Sequence, residues 1–199
     1  MALIGIVDYG VGNLMSVANA LRFIGLESAI IADPQDLDRT DGVILPGVGA
    51  FPAAARSLEE SGFVPVLKNL NKPLLGICVG MQLLFTMGYE FETCPGLDLI
   101  PGEVHRLDTA LKLPHIGWNH LEIRRETPLF RGLGSDTWVY FVHSFGAVSV
   151  LESDVIAETD YGVAVTAAVN RGNVYGTQFH PEKSGDTGLQ MLRNFGDMI

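Results

Sequence analysis

The sequence predicts an α/β fold: a mostly parallel central sheet flanked by helices, with antiparallel strands added in the C-terminal half. Up to Cys94, short continuous apolar runs alternate with stretches of helical spacing. Parallel strands covered on both faces read as such runs, and alternation with helices is the pattern of a parallel sheet. After Cys94 strand candidates follow one another with few helices between them, as in antiparallel pairing. A third observation is local: Gly76-Ile77-Cys78-Val79-Gly80 lies where an apolar run passes into a helix-like stretch. That is the thiol version of the Gly-x-Ser-x-Gly turn, which exposes a nucleophile at the carboxyl edge of a sheet.

Taken in order, Leu3 to Asp8 is the first strand and Tyr9-Gly10-Val11-Gly12 a turn. Asn13 suits a helix N-cap, because its short side chain accepts from a free N–H of the first turn. Leu14, Val17, Ala18, Leu21 and Ile24 recur at helical spacing, and Gly25 ends that helix. Ser28 to Ala32 reads as a second strand, broken at Asp33-Pro34; Gly42 to Leu45 is a third, ending at Pro46-Gly47-Val48-Gly49. Phe51 to Leu58 and Val64 to Leu70 are short helices, the second stopped by Lys72-Pro73. Leu74 to Ile77 is a fourth strand, and Met81 to Met87 continues from the cysteine turn as a helix.

In the second half, His115 to Ile123, Trp138 to Val142, Val155 to Glu158, Ala164 to Val169 and Val174 to Phe179 read as strands. A last helix runs from Gly188 to about Met198, with Leu189, Leu192 and Phe195 on one face. No repeat, low-complexity tract or linker divides the chain, so residues 1–199 read as one domain.

Composition narrows the function classes. With 199 residues, 47% hydrophobic and 18% charged, the chain has material for a sizeable core. A net charge of −10 argues against a general nucleic-acid binder, which needs a basic face, and against anionic membrane surfaces. The two cysteines, Cys78 and Cys94, make no dense disulfide framework, and the apolar run at Leu3 is too short for a signal sequence. The expectation is a soluble, cytoplasmic protein with free thiols. No Cys-x-x-Cys, His-Glu-x-x-His or P-loop spacing occurs, so neither a metal nor a cofactor is expected.

A nucleophilic thiol needs a base, and the base an orienting group. His180-Pro181-Glu182 supplies both. In an extended segment residues i and i+2 point to one side, and Pro181 suits a strand end because it donates no ladder hydrogen bond. Glu182 would accept the Nδ1–H of His180 and leave Nε2 facing Cys78. A cysteine in an apolar run is commonly an inert core residue, and a His-x-Glu a surface pair. Here the two motifs share the glycine bracket and the strand-to-turn context, which points to a Cys-His-Glu triad. The following helix would aim its free N–H groups at the sulfur and favour thiolate. For the oxyanion of an acyl transfer, the N–H of Val79 is the expected donor. The loop Pro46-Gly47-Val48-Gly49 is the candidate for a second. Gln82, one helical turn after Cys78, either binds substrate or is a solvated helix residue.

These segments resemble the class I (triad) glutamine amidotransferases: Gly76-Ile77-Cys78-Val79-Gly80-Met81-Gln82 with Phe179-His180-Pro181-Glu182-Lys183. Asp8-Tyr9-Gly10-Val11-Gly12-Asn13, Pro46-Gly47-Val48-Gly49-Ala50-Phe51, Ile116-Gly117-Trp118-Asn119 and Tyr140-Phe141-Val142-His143-Ser144 narrow the likeness. They resemble the glutaminase subunits of imidazole glycerol phosphate synthases, nearly end to end. The resemblance implies that Cys78 attacks the amide of glutamine, His180 moves the proton and Glu182 orients it. It implies that Gly49, Gln82, Ser144 and Phe145 hold glutamine, and that Gly47, Val48 and Gly49 help complete the oxyanion hole.

It also implies a heterodimer with the cyclase subunit, a (β/α)8 barrel that consumes the ammonia in the ring-forming step of histidine biosynthesis. Asn13, Trp118 and Lys183 would face that partner. Read from pattern alone, Trp118 is ordinary strand packing and Lys183 a solvated lysine. The amidotransferase fold takes up all 199 residues, which leaves the ammonia to be used by another protein. The readings that compete are a non-catalytic regulatory subunit with a vestigial site and a stand-alone cysteine hydrolase.

Overall fold

A computed structural model describes residues 2–148 and 150–199. Its first half is built from β1 (Leu3–Val7), α1 (Leu14–Phe23), β2 (Glu27–Ile31), β3 (Gly42–Gly47), α2 (Phe51–Glu60), α3 (Phe63–Lys68), β4 (Leu74–Cys78) and the single turn α4 (Val79–Gln82). β1 pairs in parallel with β2 and β3, and β3 with β4. β3 and β4 are buried along their whole length, which explains their unbroken apolar character. Asn13 caps α1 as expected, its side chain accepting from Ser16 N at 3.3 Å, and Gly25 follows the helix with φ +80.

The second half comprises β5 (Phe85–Gly88), β6 (Cys94–Pro95), β7 (Ile100–Arg106), β8 (His115–His120), β9 (Glu122–Ile123), β10 (Trp138–His143), β11 (Phe145–Val148), β12 (Val155–Asp160), β13 (Ala164–Arg171), β14 (Val174–Thr177) and α5 (Gly185–Gly196). The central sheet has eight strands in the order β2-β1-β3-β4-β14-β13-β12-β9. β14 lies parallel to β4, whereas β13, β12 and β9 extend the sheet antiparallel. β10 and β8 form an antiparallel ribbon, and β11-β7-β5-β6 a second small sheet. The antiparallel strands expected beside the parallel core therefore both lengthen the main sheet and build two smaller ones. No helix among the described residues is long and apolar enough to cross a membrane.

One sequence expectation is corrected. Met81 to Met87 is not a helix: α4 ends at Gln82, and Phe85–Gly88 is strand β5, paired with β7 and β6. A short apolar run carries no decisive period, and here partners from Cys94 to Val104 settled the outcome. For the same reason β5, β7 and β11 escaped the strand pattern, while His115 to Ile123 divides into β8 and β9.

β4 and β14 are adjacent and parallel, so the residues that follow them emerge at the same carboxyl edge. Cys78 ends β4, and His180 follows β14 by three residues. This neighbourhood is the structural basis of the site, since parallel sheets hold ligands beyond their strand ends.

Candidate active site

Cys78 closes β4 with φ 57 and ψ −112, a backbone conformation rare for a residue with a side chain. The flanking glycines make that turn possible by closeness of approach. A Cβ on Gly80 would lie 1.9 Å from the Leu45 carbonyl oxygen, and one on Gly76 would lie 2.6 Å from the carbonyl oxygen of Gly80. The bracket thus lets α4 fold back onto β3 and β4, and the turn directs the thiol into a cavity of about 300 Å³. The cavity is lined by Cys78, Val79, Gln82, Val48, Gly49 and His180, together with residues of β10 and the Ser144-Phe145 corner.

His180 is placed by backbone as well as side chain. Its N–H donates to the Tyr140 carbonyl at 3.0 Å, and its own carbonyl accepts from Ser184 Oγ at 2.7 Å. Nδ1 lies 2.8 Å from Glu182 Oε1, and both side chains are almost fully buried. Accepting from Nδ1–H, the carboxylate leaves Nε2 directed away from it. Nε2 makes no hydrogen bond that meets ordinary geometry, with Cys78 or any other described group, and Glu182 Oε2 is likewise unpaired. The imidazole is nonetheless sensitive to the sulfur. Burial pushes its pKa down, but Cys78 and Glu182 outweigh burial and raise it to about 9. Held well above its ordinary value, the ring carries its proton through the neutral range. α4 is one turn long, so its dipole adds less at the sulfur than a full helix would; His180 is the main source of positive charge there.

Gly47 pairs in register with Cys78 across β3 and β4, which sets the loop Gly47–Gly49 beside the thiol. Gly47 is buried, while Val48 is 39% exposed and Gly49 turns with φ +85. The loop is tied beneath by Tyr9, whose hydroxyl donates to the Pro46 carbonyl at 2.8 Å. Burial, and then Cys78, push the Tyr9 phenol far above its ordinary pKa, so it stays a neutral donor.

Gln82 is neither solvated nor free. Its Nε2 donates to the Phe145 carbonyl and to Gln178 Oε1, each at 3.0 Å. Both amide hydrogens are spent, so its Oε1 is the atom left for a ligand. Ser144 and Phe145 line the same cavity, with the Phe145 carbonyl also accepting from His143 Nδ1 at 2.9 Å.

Asn13, Trp118 and Lys183 do not line the cavity. Asn13 and Lys183 are exposed, and Trp118 is 53% exposed on β8. Trp118 stands opposite Tyr140 in the ribbon, with ring centroids 6.2 Å apart, and its ring edge comes close to Gly185.

Several cavity residues escaped the sequence reading: Glu90, Pro114, Val142 and His143 in the lining, and Gln178 behind it. Gln178 had a usable signal, since it precedes His180 by two positions and so shares its side of the strand. The others come from loops and ribbons whose return to the site depends on pairings distant in sequence.

The arrangement is a buried thiol and an imidazole in one cavity wall, with a carboxylate paired to the imidazole. That is acyl-transfer equipment. A model of the family described as Glutamine amidotransferase class-I matches residues 5–198. The chain belongs to the class I glutamine amidotransferase family.

Among curated relatives of this amidotransferase is imidazole glycerol phosphate synthase subunit HisH of Bacillus cereus (strain G9842). It is 50% identical over 200 residues, covering 99% of this chain and 95% of the relative. The protein of that name from Bacillus thuringiensis subsp. konkukian (strain 97-27) is 49% identical over the same shares. Solved structures agree on the amidotransferase fold. One described as a glutamine amidotransferase matches with a TM-score of 0.76 at 21% identity, covering 97% of this chain and 98% of that one. PurLQS from Thermotoga maritima matches with a TM-score of 0.74 at 20% identity, covering 98% of each chain. As a member of this family the chain is an enzyme, a glutamine amidotransferase.

Proposed function

We propose that this chain is the glutaminase subunit of an imidazole glycerol phosphate synthase, a single domain over residues 1–199 that works in the cytoplasm. The observation that carries the reading is the convergence of Cys78 and His180 on one cavity, with Glu182 paired to His180, in a chain half identical to subunits of that name.

The chemistry follows from the positions. The Cys78 thiolate adds to the side-chain carboxamide carbon of glutamine, and the carbonyl oxygen becomes an oxyanion. The N–H of Val79 and an N–H of the Gly47–Gly49 loop stabilise it, with Val48 and Gly49 at the cavity wall. Gly49, Gln82, Ser144 and Phe145 hold the glutamine. His180 passes the proton on Nε2 to the amide nitrogen, the C–N bond breaks, and ammonia leaves a glutamyl thioester on Cys78. His180, now neutral, takes a proton from water as the water oxygen adds to the thioester. Collapse expels the thiolate and releases glutamate, which restores the starting pair. Glu182 keeps the ring oriented and balances its charge throughout.

Ammonia is useful as a nucleophile only unprotonated, which favours delivery to an acceptor without passage through water. The partner proposed is the cyclase subunit, a (β/α)8 barrel, bound in a heterodimer through a face that includes Asn13, Trp118 and Lys183. Exposed Trp118 suits an interface anchor.

The test is glutamine turnover with and without the cyclase subunit and its nucleotide substrate. Turnover that rises strongly with both supports the reading. High turnover by the chain alone, unchanged by either, indicates a stand-alone cysteine hydrolase. Glutamine-dependent synthesis that survives Cys78→Ala in an intact complex indicates a regulatory subunit with a vestigial site.

A further inference from the structure

We infer that Gln178 is a catalytic residue of this site: its side-chain amide nitrogen donates a hydrogen bond to the Cys78 sulfur and stabilises the thiolate. Gln178 is fully buried one position beyond β14, and its backbone N–H is already committed to the Ala167 carbonyl at 2.8 Å. Its Nε2 lies 3.8 Å from Cys78 Sγ. Among the described residues it is the one group that donates a hydrogen bond to that sulfur.

The direction of this hydrogen bond follows from the chain of groups behind it. The Phe145 carbonyl is only an acceptor, so Gln82 must turn its NH2 toward it, at 3.0 Å. The second hydrogen of that NH2 goes to Gln178, also at 3.0 Å, so Gln178 must present its oxygen there. The Gln178 NH2 is then the end that faces Cys78. His143 Nδ1 donates to the same Phe145 carbonyl at 2.9 Å, which fixes the start of the series. Reversing Gln82 would set acceptor against acceptor, and reversing Gln178 donor against donor, in a buried place where an unpaired polar group is costly. The sequence thus delivers an oriented, uncharged donor to the nucleophile.

A neutral amide suits this position. A thiolate accepts hydrogen bonds far better than a thiol, so a fixed donor favours the reactive form. Because it carries no charge, it leaves the proton traffic to His180. Gln178 and His180, two residues apart on one extended segment, approach the sulfur from the same side. The other titratable group close to the sulfur is Tyr9, whose hydroxyl is committed to the Pro46 carbonyl. Glu90 and His143 share the cavity lining. The Glu90 carboxylate accepts from Phe51 N at 2.8 Å, and His143 donates to Phe145.

The inference rests on Cys78 being the nucleophile, and its test reads the thiol itself, whatever the substrate. In a Cys94→Ser background, which leaves one cysteine, the rate of alkylation by iodoacetamide is followed against pH. Gln178→Glu keeps the oxygen that Gln82 needs and replaces the donor by a carboxylate. The pH of half-maximal alkylation should rise by about one unit in this variant, and by roughly half a unit in Gln178→Met. Gln82→Met leaves Gln178 in place but removes the group that orients it, and should move the midpoint the same way by less. A purely structural role would lower the thermal midpoint and leave the alkylation midpoint where it was. That result in Gln82→Met, or in any Gln178 variant that folds, overturns the inference. A failure of glutaminase turnover with a normal alkylation shift would instead count against the proposed function.

Discussion

The backbone N–H of His180 donates to the carbonyl oxygen of Tyr140 at 3.0 Å, so the proposed base hangs from the ribbon strand β10. The N–H of Tyr140 in turn donates to Ser184 Oγ at 3.0 Å, and that hydroxyl donates to the His180 carbonyl. Trp118 faces Tyr140 from the other strand. An exposed aromatic on the proposed partner face is therefore linked through Tyr140 to the imidazole proposed to move the proton.

That placement makes Trp118 a test of the interface. Trp118→Ala should weaken the complex with the cyclase subunit by about 2 kcal/mol, roughly a thirtyfold rise in Kd. The fold should survive, because more than half of the side chain's surface is already in solvent. Titration calorimetry or anisotropy would measure the change, and an unaltered Kd would remove Trp118 from the interface.

In the proposed division of roles Glu182 orients and His180 transfers, so the two should differ in kinetic cost. Glu182→Gln is expected to keep on the order of 10 to 100 times more activity than His180→Ala in the complex. Equal losses in matched assays of kcat would contradict the division of roles.

The glycine bracket is a packing requirement. At Gly80 an added methyl would meet the Leu45 carbonyl oxygen at 1.9 Å, a backbone atom unable to move aside. Gly80→Ala should cost about 3 kcal/mol or more of stability through overpacking. Denaturant unfolding measures it, and a loss below about 1 kcal/mol would show that α4 can shift off β3.

Stability should depend on pH through the buried histidines. His115 and His143 lie with Nδ1 of the first 3.1 Å from Nε2 of the second. Since His143 Nδ1–H is given to Phe145, its Nε2 must accept from His115, and both rings are neutral. Burial holds each pKa down at about 4. The unfolded value is about 6.5, so the folded chain binds fewer protons between the two values. Their stabilisation is complete above about pH 6.5 and is lost as pH falls toward about 4. His180 has the opposite sign: raised to about 9, it contributes fully below about pH 6.5 and loses that contribution as pH rises through 9. His143→Gln, which can still donate to Phe145, should show a smaller drop in urea midpoint between about pH 7 and pH 4.5 than the parent. An identical drop would mean that the pair does not titrate as described.

Much of the site was legible in sequence because its parts are local. Gly76 to Gly80 carry their own turn chemistry, and His180 and Glu182 are brought together by a two-residue spacing. The adjacency of Cys78 and His180 could be argued only from both ending strands, and β4–β14 pairing supplies it. What escaped depends on distant contacts. Gln82 is not a solvated group: its amide nitrogen is locked between Phe145 and Gln178, residues far along the chain. The segment after it looked helical because Leu83, Leu84 and Phe85 are all buried, which erases the period. β5 exists because β7 is there to pair with it.

The central claim is that Cys78 carries the glutamyl group. Intact-mass analysis of the complex with the cyclase subunit, after reaction with a glutamine analogue bearing an electrophilic ketone, tests it most directly. The account predicts one adduct, located on Cys78, suppressed by excess glutamine and absent in Cys78→Ser. Adduct on Cys94, or labelling that persists in Cys78→Ser, would contradict it.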